Sequence, residues 1–184
     1  TRAYDGSLTV QGSILRFVDP NNLSANVSIS GSATASSANA ANGVTITQGN
    51  LGTLALGGSD AGSYNINTIA TNGYVTVDIT PKAINLGGTR LYTGTAAAAA
   101  ADLSASGTIG SETLTLSGSG TLNNAAAGSR TISTLGSLAL GNGSNGGLGA
   151  NYTLTGGTHT LTVNPIPLNI TGSKVYDGDT DVSS

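Results

Sequence analysis

A six-residue block occurs three times in this chain and constrains its fold more tightly than any other feature. Thr1-Arg2-Ala3-Tyr4-Asp5-Gly6 recurs as Thr89-Arg90-Leu91-Tyr92-Thr93-Gly94 and again as Ser173-Lys174-Val175-Tyr176-Asp177-Gly178. Between these marks, Leu51-Gly52-Thr53-Leu54-Ala55-Leu56-Gly57 matches Leu135-Gly136-Ser137-Leu138-Ala139-Leu140-Gly141. Ser63-Tyr64-Asn65-Ile66 likewise matches Asn151-Tyr152-Thr153-Leu154, and the segment around Pro81 matches the one around Pro165. The unit of roughly 85 residues exceeds the ~20 to 50 residues of one solenoid coil. It therefore reads as a small domain, closed around its own apolar centre and followed head to tail by another. The units are 1–80, 82–164 and the start of a third at 166–184.

Composition decides between helix and strand. Only 8% of residues are charged, while 28 are Gly and 38% are apolar. Exposed helices need more Lys and Glu than that, and disordered chains combine few apolar residues with high net charge, here only −3. An ordered all-β fold follows, with a lean core, since there is no Trp and one Phe. Alternation at Val75, Val77 and Ile79 and at Leu114 and Leu116 marks strands with one buried face. Asn72-Gly73 follows Tyr64-Asn65-Ile66 and precedes Tyr74-Val75, and Gly156-Gly157 holds the matching place. Both suit tight hairpins, so the flanking strands are expected to pair.

At the joints, strand-like residues flank Pro81 and Pro165 with no Gly/Ser linker, which predicts a stiff rod. The first unit holds only Thr1 to Ala3 of its opening strand, while the third begins at Ile166 and reaches Ser184. A segment of a longer array explains this. The sharper reading is that the surplus strand completes a neighbouring subunit by strand addition.

The blocks Ala3-Tyr4-Asp5-Gly6, Leu54-Ala55-Leu56-Gly57, Asn151-Tyr152-Thr153-Leu154 and Ile79-Thr80-Pro81 together resemble the YDG-type repeats of large bacterial exoproteins related to filamentous haemagglutinin. The second unit departs from the pattern at Thr93, where Asp is expected. The resemblance implies an adhesin, often one exported by two-partner secretion, located extracellularly or on the bacterial surface, and brings no catalytic residues. Asp60-Ala61-Gly62-Ser63-Tyr64 looks like the turn that sets up the tyrosine corner of immunoglobulin-like sandwiches. The second unit has Leu148 and Ala150 at the corresponding places. Two tandem small β-domains of immunoglobulin-like type are therefore favoured, with a β-grasp-like domain as the alternative.

Few side chains offer chemistry. With no Cys there is no disulfide, thiolate metal site or thiol nucleophile. Arg2, Arg16, Lys82, Arg90, Arg130 and Lys174 are scattered, so a nucleic-acid partner is not expected. No run approaches the ~20 apolar residues that cross a bilayer. Asp177, Asp179 and Asp181 alternate as the first ligands of a Ca²⁺ loop do, but the twelve-residue pattern is incomplete and a solvated turn is the simpler reading. His159, the only histidine, stands where the first unit has Val75 and reads as a structural or exposed strand residue. Glu112, the only glutamate, has no second acid in the pattern with which to form a glycosidase pair.

Tyr4, Tyr92 and Tyr176 recur at the unit start and Tyr64 and Tyr152 near its end, which suggests packing, or a carbohydrate platform if they are exposed. Asn-x-Ser/Thr acceptors occur at Asn22, Asn26, Asn142, Asn151 and Asn169. Gly141 to Gly149 lacks the context of a phosphate cradle and reads as a long, mobile loop. The expected function is a structural stalk or filament module, not an enzyme. The alternative is a module recognising host glycan or protein through loops such as Val18 to Asn26 and Gly141 to Gly149.

Overall fold

A computed structural model of the protein describes residues 1–16, 24–66 and 75–176. The chain is all-β, as its composition implies. The first half carries β1 (Arg2–Ala3), β2 (Thr9–Gln11), β3 (Ser28–Ser30), β4 (Ser32–Thr34), β5 (Ala41–Ile46), β6 (Ala55–Gly57) and β7 (Val75–Thr80). After Pro81 come β8 (Lys82–Ala83), β9 (Asn85–Leu91), β10 (Ala97–Ala99), β11 (Leu103–Ser106) and β12 (Leu114–Ser117). Then follow β13 (Ser119–Leu122), β14 (Gly128–Thr134), β15 (Ala139–Asn142), β16 (Tyr152–Thr153) and β17 (Thr160–Asn164). Alternation works as read: Val77 and Ile79 are buried while Thr76 and Thr80 face solvent.

The matched sequence blocks adopt matched pairings. In the first half, β7 lies between β1, parallel, and β5, antiparallel. In the second, β17 lies between β9, parallel, and β14, antiparallel. The ribbons β2–β4 and β3–β6 return as β10–β13 and β12–β15. One glycine corner makes this possible in each half. Gly31 and Gly118 both sit at φ +80°, and a Cβ there would lie 2.1 Å from the Thr53 and Ser137 carbonyl oxygens. The corner lets the chain leave one ribbon and enter the other within a single residue.

The second half also contains a complete leading strand. β8 pairs with β16, and β9 pairs with β11 as well as β17, in a six-stranded curled sheet ordered β10-β13-β14-β17-β9-β11. Ile84 and Leu86 of this segment are almost fully buried.

That strand overturns the hairpin expected at Gly156-Gly157. A turn does form there, with the Gly157 N–H donating to the Leu154 carbonyl and Gly156 at φ +86°. Yet β16 and β17 do not pair with each other, because the leading segment lies between them. The Ile84 N–H donates to the Thr153 carbonyl and the Leu86 N–H to the Thr158 carbonyl. The matching expectation at Asn72-Gly73 lies outside the described residues.

The core also differs from expectation. Buried apolar side chains form one connected cluster, with Val10, Ile46 and Ile79 from the first half and Leu86, Leu161 and Val163 from the second. Among the described residues the buried apolar side chains are not divided into two separate clusters. A unit with so few large side chains buries little area alone, and packing against its neighbour adds to it. Among the described residues no strand pair crosses between the halves, so side chains make the junction. The loop 141–149 is pinned rather than free: Ser144 N–H donates to Thr113 Oγ1, Gly143 N–H to the Gly147 carbonyl and Gly149 N–H to Asn142 Oδ1.

Candidate functional site

The first copy of the six-residue block supplies the first half's tyrosine to the seam between the halves. Arg2 pairs with Asp5 and also donates to the Ser7 carbonyl, and Asp5 Oδ1 accepts the Ser7 N–H. Gly6 completes the turn at φ +73°. Partial burial works against the Asp5 charge, but the Ser7 N–H and the Arg2 guanidinium outweigh it and hold the carboxyl below its ordinary pKa. In the second half Arg90 makes the equivalent links, to Thr93 and to the Thr95 carbonyl, with Gly94 at φ +76°. Thr93 therefore replaces the carboxylate in the same turn. The Tyr-Asp-Gly block is a turn clamp that aims its tyrosine.

Tyr4 is aimed across the seam. Its ring meets Tyr152 edge-on, with centroids 5.3 Å apart and an interplanar angle of 80°, a favoured aromatic geometry. The Tyr4 hydroxyl donates to Glu112 Oε1 at 2.7 Å and the Tyr152 hydroxyl to Oε2 at 2.7 Å. Tyr152 also accepts the Ile109 N–H at 2.9 Å. Burial first, and the Glu112 carboxylate second, push the Tyr152 phenol up to about 12 and raise that of Tyr4. Beside them Asn151 is 1% exposed. Its Oδ1 accepts the Ala40 N–H at 2.8 Å and its Nδ2 donates to Asn39 Oδ1 at 3.1 Å. The four polar side chains Tyr4, Glu112, Asn151 and Tyr152 thus join the halves.

Both oxygens of Glu112 already accept a hydroxyl, so the geometry holds a carboxylate still rather than aiming it at a substrate. His159 is buried elsewhere, its Nδ1 accepting the Leu86 N–H at 3.1 Å and its Nε2 donating to the Leu154 carbonyl at 2.7 Å. It supports the leading strand, in keeping with the structural reading. Among the described residues no three His, Asp or Glu cluster as a metal site. Asp177, Asp179 and Asp181 lie outside those residues, as does Asn22. Asn151 is corrected as a glycosylation acceptor, because its buried amide is already bonded, whereas Asn26, Asn142 and Asn169 are exposed. Among the other tyrosines, Tyr64 is half-buried, Tyr92 is 40% exposed and Tyr176 is 93% exposed. The block tyrosine is therefore buried only where a following half covers it.

Sequence reasoning missed the role of Glu112. The cue was its being the only glutamate in a chain poor in charge. Next to it lies an open depression of about 360 Å³ lined by Leu103, Ala105, Thr108, Glu112, Leu114 and Leu116.

Residues 77–162 match the model of the YDG domain, a stretch running from within β7 to within β17. A YDG domain is therefore present in this chain. No curated protein and no solved structure matches the chain. Among the described residues no helix is long and apolar enough to cross a membrane.

Proposed function

We propose that this chain is a structural segment of a bacterial surface-exposed or secreted adhesin, a stalk or filament built from tandem YDG-type units like those of filamentous-haemagglutinin-related exoproteins. The observation that carries this reading is the seam. Two halves with matched strand pairings are tied by the Tyr4–Glu112–Tyr152 bridge and by a single proline joint, which suits a part that must transmit load without bending. Its chemistry is that of a support: the polar groups at the seam satisfy one another. On this reading the chain is not an enzyme and its contacts are with neighbouring units and, through them, a host surface.

Antibodies raised against the chain are expected to label intact cells of the source bacterium or filaments shed from them. Labelling confined to lysed cells overturns the placement. A second reading, a module that binds host glycan or protein, is favoured by the open depression beside Glu112. It is tested on a glycan array, where saturable binding lost on Thr108→Trp supports it and uniform absence of binding removes a glycan as the ligand.

A further inference from the structure

Tyr4 and Tyr152 are two phenols held against each other and against one base. Their rings meet edge-on with centroids 5.3 Å apart, within the range of direct aromatic contact. Their hydroxyls converge on the two oxygens of a single carboxylate, each 2.7 Å from Glu112. The ring edges that carry the hydroxyls are therefore drawn together, and the carbons ortho to each oxygen lie on those edges. Tyr4 is 5% exposed and Tyr152 4%, so neither ring is open to bulky reagents, yet both reach the surface.

Two tyrosines so placed can couple oxidatively. A phenol that loses an electron becomes a strong acid, and a carboxylate at hydrogen-bond distance takes the proton as the electron leaves. Glu112 touches both hydroxyls, so one base serves both rings. It also lines the open depression of about 360 Å³, through which a proton taken from the first phenol passes to water before the second arrives. The resulting phenoxyl radicals carry much of their unpaired spin on the ortho carbons. Burial keeps dissolved reductants from quenching them, while an electron needs no open path to leave a ring that reaches the surface.

We propose that Tyr4 and Tyr152 are a site of dityrosine formation, where an outer-sphere one-electron oxidant joins the two halves by a carbon–carbon bond between the rings. Each phenol gives one electron to the oxidant and one proton to Glu112, which passes it to water. The two phenoxyl radicals pair their ortho electrons in the new bond, and the hydrogen on each bonded carbon transfers to its oxygen to restore the phenol. Two oxidant equivalents are consumed, and two electrons and two protons leave, so the chain loses two hydrogens in all. The product is a covalent seam in a chain that has no cysteine with which to make a disulfide. The inference goes beyond the stalk reading and rests on the seam geometry alone, so its failure leaves the placement on the cell surface to its own test.

The test uses the full chain at high dilution, oxidised by photogenerated tris(bipyridyl)ruthenium(III) with persulfate as the electron sink. Trypsin leaves Tyr4 in fragment 3–16, Tyr152 in 131–174 and Tyr92 in 91–130, so mass spectrometry of the digest reads which tyrosines are joined. The expected product is 3–16 linked to 131–174, lighter than their sum by two hydrogens and showing dityrosine fluorescence, formed within the monomer. In urea, where the rings are no longer held together, its yield should fall at least about tenfold. Tyr4→Phe should remove this product and leave the circular dichroism of the folded chain unchanged. Glu112→Gln, whose amide is no base, should slow linking at least about tenfold at neutral pH and regain speed as pH rises and hydroxide takes the proton. A purely structural role for Glu112 gives no such recovery. The proposal is overturned if the native chain yields no 3–16/131–174 product while Tyr92 is oxidised. It is equally overturned if the product forms as readily in urea, which would mean random collision, or if Glu112→Gln links at the native rate at neutral pH, which would mean that no base is needed.

Discussion

Replacing Glu112 by Ala removes the carboxylate whose two oxygens accept the Tyr4 and Tyr152 hydroxyls across the seam. A hydrogen bond to a charged group contributes about 1.5–3 kcal/mol, and Glu112 accepts two, each at 2.7 Å. Glu112 is half-buried, so the lower end of that range applies, and the expected loss is about 2–4 kcal/mol. Tyr4→Phe, which removes one of the two hydroxyls, should lose about 1–1.5 kcal/mol. Tyr152→Phe should lose about 2 kcal/mol, because the Ile109 N–H then also lacks its acceptor. Urea unfolding followed by circular dichroism measures all three. In a double-mutant cycle Tyr4→Phe should have little further effect once Glu112 is Ala, since the partner is already gone. Coupling should also fade: the Glu112→Ala chain should unfold in two resolved steps, where the unsubstituted chain unfolds in one. If Glu112→Ala lost less than about 0.5 kcal/mol and kept a single transition, the seam would not be what joins the halves.

Other outcomes follow from the same geometry. The contribution of Tyr152 to stability should be constant up to pH 10 and then fall as pH rises toward 12. The phenol raised to about 12 at Tyr152 keeps its proton in the folded chain while the unfolded chain loses it; the total fall is at most about 2–3 kcal/mol, and Tyr152→Phe should flatten it. His159→Ala should cost about 2–4 kcal/mol, by opening a cavity and removing both the Nε2 donor to the Leu154 carbonyl and the Nδ1 acceptor of the Leu86 N–H, with hydrogen exchange fastest at β9. Gly31→Ala and Gly118→Ala should each cost about 3 kcal/mol or more, since a left-handed backbone and a carbonyl at 2.1 Å both oppose a Cβ. Gly43→Ala, at φ +65° in open space, should cost only about 1–2 kcal/mol by thermal unfolding.

Much of the architecture was legible because it is local or repeated. Alternation at Val75, Val77 and Ile79 places one face of β7 in the core from six adjacent residues. The Leu51–Gly57 and Leu135–Gly141 blocks keep the same glycine turns, at Gly52 and Gly136, and feed the same ribbons. What failed was long-range. The turn at Gly156-Gly157 was readable, but not that Ile84 and Leu86, about 70 residues earlier, would lie between β16 and β17. Tyr4 and Tyr152 stood out by recurrence, yet nothing local links either to Glu112, 108 and 40 residues away. Gly141 to Gly149 read as mobile because its anchor, Thr113, lies on a different strand entry. The single glutamate has no second acid near it in the sequence, and its structural use lies in the two tyrosines that face it across the fold.

The absence of cysteine makes the central claim directly measurable. Spin labels at exposed Gly49→Cys in the first half and Thr131→Cys in the second report the distance between halves by double electron–electron resonance. One narrow distance distribution in the native chain, broadened by Glu112→Ala, is the expected result. A distribution already broad in the native chain, or one unaltered by that substitution, would mean that the tyrosine and glutamate bridge does not hold the two halves as one body.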